Sequence, residues 1–379
     1  MSAEQFCRLC EGGLDLLADF TVLPRVTSDA RPWPAGGELA VCRDCGLVQH
    51  PDTLSWRAEA AAIYAEYGFY LQADGAEQAV FVSGQPRRRS EQVLDSALAV
   101  LALPEQGRAV DIGCGNGGML TALSSRLPGW RLTGYDQDNR SAKLVEAIPG
   151  VEVLHVGPLG SLAGLFDFAT LAHSLEHFQH PAKTLAAIRR QLTPDGALLV
   201  EVPDHRANPF DLVLADHACH FSPATLDATL RAGGFDPLTV TCAWVPKELS
   251  AVARPGPPQA PGPAECGARK GAEAGVAWLS ALAAQARAAA STSKGVAVFG
   301  SSIGASWMVG LLGEAVTLLV DEDTTRLGHF HLGRPIVLPA QVPDGTTVLV
   351  PLAPAVGAAV VARLGQGPGE WLAPPRLTS

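Results

Sequence analysis

The chain of 379 residues is 47% hydrophobic, enough for two or three cored domains, and its net charge is −10. With no basic cluster beyond Arg87-Arg-Arg89, that acidity excludes nucleic acid as an expected partner. Neither a membrane-length apolar run nor a charged-then-apolar leader pattern is present, so a cytoplasmic protein without a membrane partner is expected. In chain order, the first feature is cysteine spacing. Cys7-x-x-Cys10 and Cys42-x-x-Cys45 place four thiols in two knuckles, the pattern of a closed, structural zinc site. Disulfides or a redox dithiol are the alternatives, and a reducing compartment argues against the first. Residues 1–55 therefore read as a zinc module and 56–103 as a largely helical segment, a candidate substrate lid. Tyr64, Tyr67, Phe69 and Tyr70 cluster there. Aromatic stripes usually pack cores, but a buried tyrosine hydroxyl needs a partner, so Tyr67 and Tyr70 are carried as substrate-side candidates.

Residues 104–245 hold the most informative run, Val110-Asp-Ile-Gly-Cys-Gly-Asn-Gly117. Ala109–Ile112 reads as a short buried strand, and the glycines turn it directly into a helix starting near Met119. A second strand, Arg131–Tyr135, ends in Asp136, where an acidic side chain grips a ribose diol. A lone glycine-rich turn also serves dinucleotide dehydrogenases, so an NAD(P)-dependent oxidoreductase is the rival. The Asp-x-Gly-x-Gly-x-Gly pattern resembles motif I of class I S-adenosylmethionine (SAM) methyltransferases. That resemblance implies SAM held by Asp111, Gly113, Cys114, Gly115, Asn116, Gly117 and Asp136, with His173 beside it. Phe166–Leu171 is a further strand, followed at its carboxyl end by His173-Ser-Leu-Glu-His177. Pro181 opens a helix, and Ala197–Val202 is the next strand. The stretch Leu154-His155-Val156-Gly157 offers no acidic partner for adenine.

Beyond residue 245, Arg254-Pro-Gly-Pro-Pro-Gln-Ala-Pro-Gly-Pro263 reads as a surface linker, and an alanine-rich helix follows at about 272–290. Residues 246–290 are thus linker and helix, and 291–379 a C-terminal Rossmann-like α/β domain. Its strand Gly295–Phe299, turn Gly300-Ser-Ser-Ile-Gly304 and strand Val316–Val320 ending in Asp321 form a second Rossmann-like half, not a convincing tandem repeat of the first. That helix start could hold an anion, such as the pyrophosphate of a nucleotide-linked substrate; packing is the plainer alternative.

Zinc knuckles, a SAM domain and a C-terminal Rossmann-like unit in this order resemble the zinc-containing C-methyltransferases that act on nucleotide-activated keto-sugars. The fold class implied is α/β: a class I SAM-methyltransferase Rossmann-like domain between the zinc module and the C-terminal domain. In Ala215-Asp-His-Ala-Cys-His-Phe-Ser222, Asp216-His217 stands where the family has its Glu-His pair. The resemblance makes His217 the candidate general base with Asp216 beside it, and Leu214 replaces a family tyrosine. An imidazole of near-neutral pKa, oriented by a carboxylate, suits removal of the acceptor's proton. His173 is the second acceptor-side candidate. The expected partner is a small molecule, nucleotide-linked in the family, methylated at carbon or oxygen; the oligomeric state is open. Rivals are a metal-assisted O-methyltransferase using Asp216, His217 and His220, and a non-catalytic binding protein that has kept the fold.

Overall fold

The computed structural model describes residues 5–68, 79–82, 85–293 and 295–377. Phe69 and Tyr70 lie outside them. The central sheet has seven strands, in the order Val151–Val156, Arg131–Asp136, Arg108–Ile112, Phe166–Ala172, Leu192–Pro203, Glu248–Pro255 and Phe235–Thr241. The first five are mutually parallel and Glu248–Pro255 runs antiparallel to both neighbours. Near-continuous apolar runs such as Ala197–Val202 are buried on both faces, as a helix-covered parallel sheet requires. The carboxyl ends of the parallel strands line up on one edge, where the strand order reverses beside Arg108–Ile112. That edge is where ligands bind in open α/β sheets.

Three boundaries differ from the sequence reading. The expected domain end at 245 omits the strand Glu248–Pro255, whose antiparallel run continues straight into the Pro/Gly-rich segment. The 56–103 stretch is only partly helical: Leu54–Ala65 and Arg89–Leu98 are helices, but Ala79–Val82 and Gln85–Arg88 pair as a hairpin. The N-terminal module is also not closed at residue 55. Its four-stranded sheet runs Leu14–Leu16, Ala40–Cys42, Val48–Gln49 and then Cys219–His220.

The helix Ala268–Thr292 buries Ala272, Val276, Leu279, Ala283 and Ala286, a stripe at helical spacing. This stripe joins one core with Phe20 and Leu39 of the module, Phe210 and Leu212, and Trp307 and Leu319 of the C-terminal unit. Gly275 lets the helix close on residues 209–213, since a Cβ there would stand 2.7 Å from Leu212 Cδ1. The C-terminal sheet runs Phe330–His331, Arg334–Val337, Val316–Val320, Val296–Phe299, Thr347–Leu349, Glu370–Leu372, parallel except at its first pair. Among the described residues no helix is long and apolar enough to cross a membrane.

Candidate active site

The glycine turn is built by its neighbours. The amides of Gly113 and Cys114 both donate to the Tyr135 carbonyl, at 2.8 and 3.0 Å, so the turn folds over the second strand. Gly113 has φ +75°, and a Cβ there would lie 2.6 Å from Ser174 Cβ. Only glycine meets both conditions. Asp111 is buried beneath the turn and accepts from Thr170 Oγ1 at 2.7 Å. Asp136 accepts from Gly115 N–H at 2.8 Å and Gln137 N–H at 2.7 Å. Burial raises its carboxyl above the usual range, against the pull of those amides.

A cleft of about 280 Å³ opens over this edge. Its wall includes six of the expected cofactor residues, namely Asp111, Gly113, Cys114, Gly115, Asn116 and His173. Gly117 and Asp136 flank this lining, Asp136 joined to it through the Gly115 amide. Glycines with positive φ, a buried acid below and an acid one strand over fit the SAM cradle that the motif implies. Asp111, the Gly113–Gly117 backbone and Asp136 are the residues that would hold it.

On the acceptor side the structure separates the expected pair. His217 Nδ1 sits 2.8 Å from Asp211 Oδ1, not against Asp216. Asp216 turns the other way and accepts from Ser28 N–H at 2.9 Å and from Ser28 Oγ–H. Adjacent residues in this irregular stretch point to opposite sides, which sequence adjacency could not reveal. Asp211 also binds His220, Nδ1 to Oδ2 at 2.9 Å. Burial alone would raise the Asp211 carboxyl, but the two imidazoles outweigh it and hold it well below the carboxylate range. Burial likewise works against a charge on His217, yet the Asp211 hydrogen bond and charge, with Glu176 and Asp216, raise it to about 9. The near-neutral imidazole expected from sequence is therefore a protonated ring at neutral pH.

His173 lines the cleft at φ +50°, a strained value for a non-glycine residue. Glu176, Glu201 and Glu248 surround its ring at 3.4, 3.8 and 3.6 Å. Burial, then the charge of Arg89, pushes His173 well below the ordinary range, so this ring is neutral. Burial raises Glu176 to about 7 and, together with Glu201, raises Glu248 to about 8. Tyr67 lines the cleft with its hydroxyl 3.1 Å from Ser28 Oγ. Tyr64 is further in, its hydroxyl 2.7 Å from His177 Nδ1. Asp211, Ser28 and Glu248 were not singled out from the sequence, because no local spacing rule joins them to His217.

The four knuckle thiols converge. Cys7 and Cys45 Sγ are 3.6 Å apart and Cys10 and Cys42 Sγ 3.4 Å, with all four within 4.8 Å of one another. Thiolates at ~2.3 Å from one tetrahedral zinc stand roughly 3.8 Å apart, so the donor set fits the ion. Amides of Leu9, Asp44 and Cys45 point at Cys7 and Cys42 Sγ, as expected for thiolate acceptors.

Comparison with known proteins then addresses the domain. Residues 86–240 match the family model described as a methyltransferase domain. This part of the chain has the class I SAM-methyltransferase fold. Over 105 residues the chain is 35% identical to an uncharacterized 37.1 kDa protein in transposon TN4556 of Streptomyces fradiae, covering 25% of this chain and 30% of that one. It is 30% identical over 151 residues to a ubiquinone biosynthesis O-methyltransferase of Nitrosococcus oceani, covering 34% of this chain and 63% of the relative. A trans-aconitate 2-methyltransferase of Rhodopseudomonas palustris is 30% identical over 129 residues, covering 32% of this chain and 48% of that protein. The chain thus spans between about a third and two thirds of the length of these curated relatives. Among solved structures, the methyltransferase domain is similar to the Burkholderia thailandensis 1,6-didemethyltoxoflavin-N1-methyltransferase at 20% identity and a TM-score of 0.40, over 56% of this chain and 97% of that one.

Proposed function

We propose that this protein transfers the methyl group of SAM to an oxygen or carbon of a small-molecule acceptor held in the cleft. The observation that carries this reading is one continuous wall, in which the motif I glycine turn and the Asp211-held His217 face the same space. SAM supplies an electrophilic methyl, so the protein has to orient the acceptor and lower its hold on a proton. His217 serves that end. As a protonated ring it sets positive charge beside the forming anion, and once its own proton is lost it acts as the general base. The family resemblance and the C-terminal turn bordering the cleft at Ser302 and Gly304 support a nucleotide-linked sugar or related metabolite as acceptor. Leu214 on the cleft wall puts an aliphatic group where the sugar enzymes present a hydroxyl. The knuckle cysteines are proposed to hold one structural zinc, because four thiolates leave no open position for substrate.

The test follows S-adenosylhomocysteine release with a nucleotide-linked keto-sugar as acceptor. His217→Ala is expected to lower kcat by about two to four orders of magnitude, with SAM affinity by calorimetry unchanged. A variant that turns over at the wild-type rate removes His217 from the chemistry.

A further inference from the structure

The geometry points to a divalent transition-metal site in the cleft, formed by Glu176, His177 and His217, with the remaining coordination positions open to the acceptor. One ligand atom from each of the three lies within 4.8 Å of the other two. Small side-chain rotations bring such a set around an ion whose bonds run about 2.0–2.2 Å. Two imidazoles and one carboxylate on one side of an ion, with open positions opposite, suit Mn²⁺, Fe²⁺ or Zn²⁺.

Both imidazoles are already oriented for this. His217 has its Nδ1 on the Asp211 carboxylate at 2.8 Å. His177 has its Nδ1 3.3 Å from the Asp216 carbonyl, which can only accept, and 2.7 Å from the Tyr64 hydroxyl. Each ring thus turns Nδ1 to a protein acceptor, and Nε2 is the ligand atom, which on His217 is freed when the incoming ion displaces the Nε2 proton. Metal-binding histidines are held in this way, by a carboxylate or carbonyl on the far nitrogen. The two rings meet edge to face, centroids 4.6 Å apart.

Glu176 supplies a second, independent observation. It is 1% exposed and, among the described residues, neither carboxyl oxygen has a side-chain hydrogen-bond partner, with His173 Nδ1 no closer than 3.4 Å. A buried carboxyl in that condition costs free energy unless something cationic meets it. The residue is held there by its own backbone, whose carbonyl accepts from Ala218 N–H at 2.8 Å and so ties the 175–177 turn to the His217 segment. The neighbouring set of Asp211, His217 and His220 carries no such signal, because both Asp211 oxygens are already taken by the rings. Its place in catalysis rests on the methyl-transfer reading: an ion here is a stronger positive centre than an imidazolium for lowering the acceptor's proton affinity.

Full-length, zinc-loaded protein saturated with S-adenosylhomocysteine is titrated with Mn²⁺, and free ion is read by electron paramagnetic resonance. Thiolates prefer zinc to Mn²⁺, so the titration reports the cleft rather than the knuckles. One equivalent is expected to bind. Glu176→Gln and His177→Asn should each weaken it by at least about 10-fold, and Asp211→Asn by about 10–100-fold. Unchanged S-adenosylhomocysteine affinity in these variants shows that they fold. Mn²⁺ left free by wild-type protein at millimolar concentration overturns the site, and so does equal binding by all variants. Failure of the methyl-transfer reading shows separately, as wild-type protein that does not bind S-adenosylhomocysteine.

Discussion

The two glycine turns, Gly113–Gly117 and Gly300–Gly304, look alike in sequence and differ in what their acids do. Each follows a parallel strand, opens a helix, and has an aspartate at the end of the adjacent strand. Asp136 accepts from the backbone amides of Gly115 and Gln137. Among the described residues no ion pair closes on it, which suits a ligand hydroxyl. Asp321 accepts from Ser301 Oγ at 2.7 Å and stands 3.4 Å from Arg326, itself buried. Its charge is spent inside the fold. The glycines differ as well: Gly113 makes room for Ser174, whereas a Cβ on Gly304 would stand 2.0 Å from the Pro351 carbonyl oxygen. A glycine-rich turn therefore identifies a strand-to-helix junction, and the partner of the adjacent acid decides whether that junction is left open to a ribose.

Three measurements press on that contrast. Of the single substitutions the largest effect is expected from Gly304→Ala, because backbone cannot yield as a flexible side chain does. Denaturant unfolding should show a loss of about 3 kcal/mol or more, with SAM affinity intact. A stable variant means that the second turn is not packed as described. Next, Asp136→Ala should weaken SAM binding by about 1.5–3 kcal/mol, and Asp321→Ala should leave it unchanged. Equal calorimetric affinities for the two variants would erase the difference between the turns. A third, pooled effect is acid lability spread over both halves. Burial holds His50 and His205 at about 3 and His331 at about 4, below the ~6.5 of an unfolded chain. The unfolded state then binds more protons, so the stability they contribute is complete above pH 6.5 and is lost as pH falls toward 3 or 4. Each should contribute a slope of roughly 1.4 kcal/mol per pH unit in that window. A melting temperature flat between pH 6.5 and 4.5 would show that these rings charge freely in the fold.

What the sequence made legible was contiguous. Asp111 through Gly117 form one local run, and the following strand brings Asp136 to the turn, so strand-turn-strand logic suffices. The acceptor side was only partly legible, since its geometry depends on long-range contacts. His217 lines the cleft, but its orienting carboxylate is Asp211, six residues back, because the Pro209–Val213 turn presents it and the Ala268–Thr292 helix packs that turn inward. Glu176 and His177 were visible as a motif, yet their closeness to His217 depends on the Ala218–Glu176 backbone bond. The strand Glu248–Pro255 was hidden by the proline-rich run it enters. The pairing of Cys219–His220 with Val48–Gln49 could not be read from either segment alone.

That last pairing has a consequence for how the chain is made. The knuckle cysteines leave the ribosome early, but the fourth strand of their sheet is encoded about 170 residues later. At roughly 5–20 residues per second, Val48–Gln49 waits on the order of ten to thirty seconds as an open edge. A metal ion captured early by the four thiols, as proposed, would help the local strand pairs hold that edge in shape until its partner arrives, and the partner strand carries His220.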